Sequence, residues 1–139
     1  MNLYVYETPG HAVIADYGVM FAEPQHCGID SILPDVTYLK HIKHKLRAAL
    51  ITHGHEDHAG ALWDMAAQFP VPVYTGRFTA ELIRHKPGCK GLDIHEVFPS
   101  RTYSFGDIDV RFFPVRHSIP DTFGLLMECA EKKVLHQQG

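Results

Sequence analysis

The strongest constraint on the fold is one short stretch, ALITHGHEDHAGAL, which spans residues 49–62. The apolar residues 48–52 suit a buried strand, and residues 59–69 suit a helix that ends before Pro70. Between them, three histidines and two acids occupy the six positions 53–58. The pattern therefore predicts a dense group of titratable side chains where a strand passes into a helix.

The rest of the chain is typical of short strands with one more helix. Residues 3–6 and 12–17 predict an opening hairpin around the turn ETPGH, and the prolines and glycine in 18–39 predict an irregular segment. The remaining predictions are a strand at 71–76, a helix at 78–86, and strands at 94–98, 101–105, 108–115, 123–129 and 132–136. This order favours an α/β fold of the α+β kind, with helices layered on a sheet in one domain.

Composition excludes several classes of protein. No apolar run approaches the roughly 20 residues of a membrane-spanning helix, and the start of the chain does not resemble a secretory signal. We therefore predict a cytoplasmic protein with no membrane partner. Cys27, Cys89 and Cys129 are odd in number and widely spaced, which argues against a disulfide framework and against a thiolate zinc site.

The charge of the chain favours no nucleic-acid partner by itself. The formal net charge is −3, so any attraction to phosphate must be local. The run KHIKHKLR at residues 40–47 is the one local concentration of basic residues. It has two interpretations: a contact with RNA phosphates, or the solvated face of a connecting segment.

The motif H-x-H-x-D-H has the residue types and spacing of a metal site. His53 and His55 are two positions apart, so in an extended chain their side chains share one face and can bind one cation. Asp57 and His58 follow at the turn into the helix and can face a second cation. Neutral imidazole and carboxylate favour zinc, with manganese as a weaker candidate.

A catalytic zinc needs three protein ligands and one open position, so a third histidine must come from elsewhere in the chain. His117 is our choice, because it ends an apolar run and begins the turn-like sequence HSIPD. His136, at the end of another strand-like run, is the rival. A structural or surface role for His117 is the alternative.

These motifs resemble a known family. ITHGHEDHAGAL and VRHSIPDTFG are similar to the metallo-β-lactamase superfamily, and more narrowly to its β-CASP branch of the ribonuclease J type. The stretches ADYGVMFAEPQHCGIDSILPDVTYL and VPVYTGRFTAELI extend the resemblance over nearly the whole chain. The resemblance implies a partial αββα fold, in which helices cover the outer face of a mixed sheet.

The resemblance also implies roles for particular residues. His53, His55 and His117 would hold one zinc, while Asp57 and His58 would contribute to a second ion and to catalysis. Asp16 would lie behind the ligands and steady the metal loop; the alternative is an acid at a strand end that only caps a turn. Two further residues, Asp121 and Thr122, match the family motif without a physical role beyond shaping the turn after the third histidine.

The sequence departs from the family pattern near its end. The strand KKVLH is followed by Gln137, Gln138 and Gly139, where the family has an aspartate that bridges both metals. We therefore expect a single truncated domain over residues 1–139, without the β-CASP insertion and the C-terminal half. We also expect one strong zinc site and one weak second site, and exposed sheet edges that favour a homo-oligomer or a complementing chain.

Three functions follow as expectations. The first is zinc-dependent hydrolysis of RNA phosphodiesters by zinc-bound hydroxide, with Asp57 orienting the attacking water. The second is hydrolysis of a small lactone or thioester, in which zinc polarises the oxyanion. The third is an inactive fragment, or a subunit that needs a partner to complete the site, which the missing bridging acid supports.

Overall fold

The structure is a computed structural model that describes residues 1–137. Its strands are β1 Tyr4–Glu7, β2 Ala12–Ala15, β3 Met20–Phe21, β4 Ser31–Ile32, β5 Leu46–Leu50, β6 Val73–Thr75, β7 Ile94–Glu96, β8 Thr102–Phe105, β9 Ile108–Pro114, β10 Phe123–Cys129 and β11 Lys132–His136. Its helices are α1 Thr37–His41, α2 Glu56–Ala59, α3 Leu62–Gln68 and α4 Arg77–Arg84, with a 3₁₀ turn at Lys43–Lys45.

The strands form two main sheets. The first has the order β1-β2-β5-β6-β7; β1 is antiparallel to β2, and the other neighbours are parallel. The second sheet has the order β11-β10-β9-β8 and is antiparallel throughout. The predicted α/β fold with a mixed sheet is therefore confirmed.

The two faces of the first sheet pack against different layers. Along β2, Ala12 and Ile14 belong to a core shared with all four helices, whereas Val13 and Ala15 belong to a core shared with the second sheet. This alternation follows from the two-residue period of a strand, and both faces are apolar because both are covered. Within residues 1–137 the layers are helix, sheet and sheet.

The helix predicted at 59–69 is interrupted in the structure. A continuous helix would need the Ala61 N–H to donate to the Asp57 carbonyl, but the Ala61 N–H donates to the Tyr17 carbonyl at 3.0 Å. The Asp57 carbonyl instead accepts the Asn2 N–H at 2.8 Å. Because tertiary partners replace this helical bond, the chain forms α2 and then α3.

The segment predicted to be irregular, residues 18–39, contains regular structure. It includes the short antiparallel pair β3-β4 and helix α1. The helix-breaking Pro24 lies in the turn of the hairpin, and Pro34 lies before α1, where the Asp35 carboxylate accepts the Thr37 N–H at 2.9 Å. Both prolines therefore lie between secondary-structure elements, so neither interrupts a strand or a helix of this segment.

Two sheet edges face each other on one side of the molecule. The edge strands β1 and β11 border a groove of about 710 Å³, lined by Val5, Met127 and Val134 among others. On β11, the Leu135 side chain is 64% exposed. Association through these edges stays a prediction.

None of the helices within residues 1–137 has the length and apolar character needed to cross a bilayer.

Candidate metal centre

The predicted site residues lie at the edge of the first sheet that is formed by the carboxyl ends of its strands, not beside an edge strand. Strands β2 and β5 are parallel, so Asp16 and Thr52, which follow them, meet at their carboxyl ends. The loop between β9 and β10 reaches the same edge, because the Phe123 N–H donates to the Thr52 carbonyl at 2.9 Å. The fold therefore brings three distant segments of the chain together.

His53, His55 and His117 converge at this edge. The His55 Nδ1 lies 3.1 Å from the His53 Nε2 and 3.2 Å from the His117 Nε2. All three ligand atoms lie within 4.8 Å of one another. Two nitrogens bound to one tetrahedral zinc at about 2.1 Å are about 3.4 Å apart, so this donor set fits a single divalent ion.

Hydrogen bonds orient the His53 ring. Asp16 is fully buried and accepts the Thr52 N–H at 2.8 Å and the Thr52 hydroxyl at 2.9 Å. Because that hydroxyl has one hydrogen and donates it to Asp16, it accepts the His53 Nδ1–H at 2.9 Å. The lone pair of His53 is therefore on Nε2, the atom that faces the other two histidines.

The His53 ring is neutral at physiological pH. Burial, reinforced by the neighbouring rings of His58, His117 and His55, lowers the pKa of His53 to about 3. A metal ligand must be deprotonated, so the protein keeps this imidazole ready to bind. His55 is half-buried and His117 is exposed, which leaves one side of the cluster open to solvent.

Asp57 and His58 form a second pair beside this cluster. The His58 Nδ1–H donates to Asp16 at 2.7 Å, so its Nε2 carries the lone pair. That Nε2 lies 3.4 Å from the Asp57 Oδ2, which is the separation expected for two ligands of one tetrahedral ion at about 2.1 Å. The pair fits a cation, although it supplies only two donors.

A close backbone approach supports the metal loop. The N–H groups of Tyr17 and Val19 donate to the carbonyls of His58 and Glu56 at 2.8 and 3.0 Å. Between them, a Cβ on Gly18 would stand 1.7 Å from the Asp57 carbonyl oxygen. Only glycine allows this contact, so Gly18 is required for the position of the loop.

Asp121 has a role that the sequence did not reveal. Its carboxylate accepts the Phe78 N–H at 2.8 Å, in the first turn of α4, and its backbone has a φ of 55°. The Thr122 hydroxyl donates to the Ile119 carbonyl within the same loop at 2.9 Å. The Asp121 bond attaches the loop that carries the third histidine to α4, and the Thr122 bond stabilises the loop itself.

Sequence reasoning also missed Thr52 and Asn2. Thr52 relays the Asp16 contact to His53, and a hydroxyl residue directly between a buried strand and the first histidine was the signal that could have found it. Asn2 contacts both members of the second pair through its side-chain amide. No local pattern marks this residue, because its partners are 55 and 56 positions away.

His136, the rival third histidine, lies outside the cluster of three. Its ring is 5% exposed, packs edge-on against Tyr4 at 4.8 Å and hydrogen-bonds to the Tyr6 hydroxyl at 2.7 Å. Burial lowers the pKa of His136. The family pattern has a bridging aspartate after this strand, where the chain has Gln137, Gln138 and Gly139. Gln137 is described, whereas Gln138 and Gly139 lie outside the described residues.

The basic run at residues 40–47 does not line the histidine cluster. It includes the end of α1 and the 3₁₀ turn, and it leads into β5 at the opposite end from His53. Arg47 lies six positions before His53, which in an extended chain is about 20 Å. Lys45 is paired with Glu7 at 2.8 Å.

Comparison with known proteins shows the family to which this chain belongs. A family model described as a beta-lactamase superfamily domain matches residues 27–137. The chain is 33% identical over 138 residues to ribonuclease J 1 of Streptococcus pyogenes, covering 96% of this chain and 25% of that protein. It is 34% identical over 141 residues to ribonuclease J of Corynebacterium glutamicum, covering 97% and 19%. The chain thus spans a quarter or less of the length of these relatives.

Solved structures share the fold at low sequence identity. A metallo-beta-lactamase from Cronobacter sakazakii, mutated in its HARLDQ motif, matches with a TM-score of 0.73 and 16% identity, over 97% of this chain and 56% of that one. The flavodiiron protein from Giardia intestinalis matches with a TM-score of 0.67 and 18% identity, over 91% and 29%. The predicted fold is confirmed, and because the family model matches most of the chain, this protein belongs to the beta-lactamase superfamily.

Proposed function

We propose that this chain contains the metal centre of a zinc-dependent hydrolase that cleaves RNA phosphodiesters. The observation that carries the proposal is the convergence of three imidazole nitrogens at a site with one side open to solvent. The two relatives named ribonuclease J support RNA as the substrate. We also propose that the chain belongs to the β-CASP branch.

The donor atoms divide into two ion positions. His53, His55 and His117 hold one zinc, for which three imidazoles and an open position are the usual catalytic set. The pair Asp57 and His58 holds a second ion more weakly, and manganese is an alternative there because a carboxylate is present. Asp16 supports both positions, through Thr52 in one case and through the His58 Nδ1–H in the other.

A zinc ion held by His53, His55 and His117 would act as a Lewis acid and would lower the pKa of a bound water to about 7. The protein contributes the arrangement around it. The open side between His55 and His117 admits water and substrate. The Asp57 side chain is 53% exposed and lies next to His58, so its carboxylate can accept a hydrogen bond from the attacking water and orient it.

The closeness of the two positions favours a phosphodiester. Two-metal phosphodiester hydrolysis uses ions about 3.5 to 4 Å apart to stabilise the attacking and leaving oxygens. The rings of His53 and His58, one from each position, have centroids 4.1 Å apart, so the residues that would hold the two ions are direct neighbours. A lactone or thioester needs only one ion to polarise its carbonyl oxygen.

Cleavage of labelled single-stranded RNA at saturating zinc and manganese tests the proposal, with a lactone and thioester panel run in parallel. His117→Ala should abolish cleavage. His26→Ala, which changes an exposed histidine in the β3–β4 turn, should retain it. Turnover of the panel without RNA cleavage would support the small-molecule alternative, and silence on both with zinc bound would show that this chain is inactive alone.

A further inference from the structure

The side-chain amide of Asn2 lies against the second pair. Its Nδ2 is 3.2 Å from the Asp57 Oδ2 and 3.2 Å from the His58 Nε2, two atoms that are themselves 3.4 Å apart. The same nitrogen also donates to the Asp57 carbonyl at 3.1 Å. The amide therefore contacts both donor atoms that a second cation would need.

The donor and the acceptor can be assigned for the contacts at both ends of the Asn2 carboxamide. In the neutral imidazole, His58 donates its Nδ1–H to Asp16 and accepts at Nε2, so the Asn2 group that faces it is the amide N–H. At the other end of the carboxamide, the Tyr4 hydroxyl donates to the Asn2 Oδ1 at 3.2 Å. The carbonyl and carboxylate oxygens of Asp57 can only accept, so they require the NH₂ group to face the pair.

An imidazole nitrogen has one in-plane lone pair, so a hydrogen-bond donor and a metal ion at the His58 Nε2 compete for one direction. We propose that the Asn2 amide occupies the second cation position in the metal-free protein and must leave the His58 Nε2 before a second ion binds. The inference rests on the proposed second ion at Asp57 and His58. It makes binding sequential: the three-histidine position fills first, and the second fills at the expense of the Asn2 contacts.

The supports of the pair do not depend on this side chain. The Asn2 backbone N–H donates to the Asp57 carbonyl at 2.8 Å, and the Asn2 carbonyl accepts the Gly18 N–H at 2.9 Å. The His58 ring keeps its bond to Asp16. Replacing Asn2 by alanine therefore removes the competing amide while the metal loop keeps its backbone contacts.

Cobalt titration tests the inference, with visible absorption and the metal content after equilibrium dialysis as readouts. Asn2→Ala should bind the first equivalent as the wild type does and the second with a dissociation constant about tenfold lower, since two hydrogen bonds no longer compete. Tyr4→Phe keeps Asn2 but loses the bond that orients it, and should give a smaller gain. The control Gln25→Ala removes an exposed amide in the β3–β4 turn and should change neither equivalent.

Each contrary outcome has a distinct meaning. Unchanged binding of the second equivalent in both Asn2→Ala and Tyr4→Phe would show that the amide does not compete with the ion, and weaker binding would show that it supports the pair; either result would overturn the inference. A single cobalt in every variant would remove the second position and with it this inference, while the three-histidine site would stand. Absence of any bound cobalt would overturn the proposed function itself.

Discussion

Replacing Asp16 by asparagine should both destabilise the protein and change the proton position on His58. Asp16 is fully buried and accepts three donors: the Thr52 N–H, the Thr52 hydroxyl and the His58 Nδ1–H at 2.7 Å. Its φ of 62° is left-handed, a conformation that asparagine tolerates. The Asp16→Asn substitution therefore changes the chemistry of one oxygen and little else.

The expected magnitude follows from that one atom. If the new amide keeps its oxygen toward the Thr52 N–H, its NH₂ group faces the His58 Nδ1–H, and two donors cannot pair. The loss of one bond to a charged acceptor costs about 1.5–3 kcal/mol of unfolding free energy. His58 can recover part of this by moving its proton to Nε2, but the new Nε2–H would then face the donating amide of Asn2.

Two measurements on metal-free protein check this reasoning. Urea unfolding followed by circular dichroism should show a loss of about 2 kcal/mol for Asp16→Asn, and the ¹⁵N shifts of His58 should report the Nε2–H tautomer. Asp109→Asn, a change of an exposed carboxylate that accepts the Ser104 hydroxyl on the second sheet, is the matched control. Unchanged stability together with an unchanged His58 tautomer would refute the role given to Asp16.

Three further predictions concern stability, metal affinity and pH. Gly18→Ala should cost about 3 kcal/mol in urea unfolding, because its methyl group would meet the Asp57 carbonyl, whereas Gly10→Ala, with open space around it, should cost far less. Asp121→Ala should weaken zinc binding in a chelator competition as well as remove about 1 kcal/mol of helix capping; an unchanged zinc affinity would contradict its positioning role. Because burial lowers the folded pKa of His136 below 6.5, the unfolded chain takes up its proton first, so stability present above pH 6.5 should be lost as the pH falls. His136→Asn should flatten this dependence of the unfolding free energy on pH, and an equally steep profile would contradict it.

The local parts of the candidate site could be predicted from the sequence. The apolar run before His53 and the two-residue spacing to His55 are local patterns, and the structure places these residues where a strand ends. The place of His117 at another strand end predicts the third member, and the fold brings the two loops together. These inferences depend only on strand periodicity and on the ligand number of a catalytic zinc; the structure brings the three histidines together, and their role as metal ligands stays a prediction.

The parts that sequence reasoning missed depend on long-range contacts. The break between α2 and α3 arises because Tyr17, 44 positions before Ala61, accepts its N–H. Asp121 acts on α4 from 43 positions away, and Asn2 contacts Asp57 across 55. No local pattern reports such partners, so the supporting bonds of the site became visible only in the folded chain.

The most direct test of the proposed metal centre is the zinc content after exhaustive dialysis of the wild type, His117→Ala and His136→Ala. The geometry predicts about one tightly held zinc per chain in the wild type and in His136→Ala, and its loss from His117→Ala. Zinc that is retained in His117→Ala and lost from His136→Ala would contradict the assignment of His117 as the third ligand and the proposed hydrolase function that depends on it.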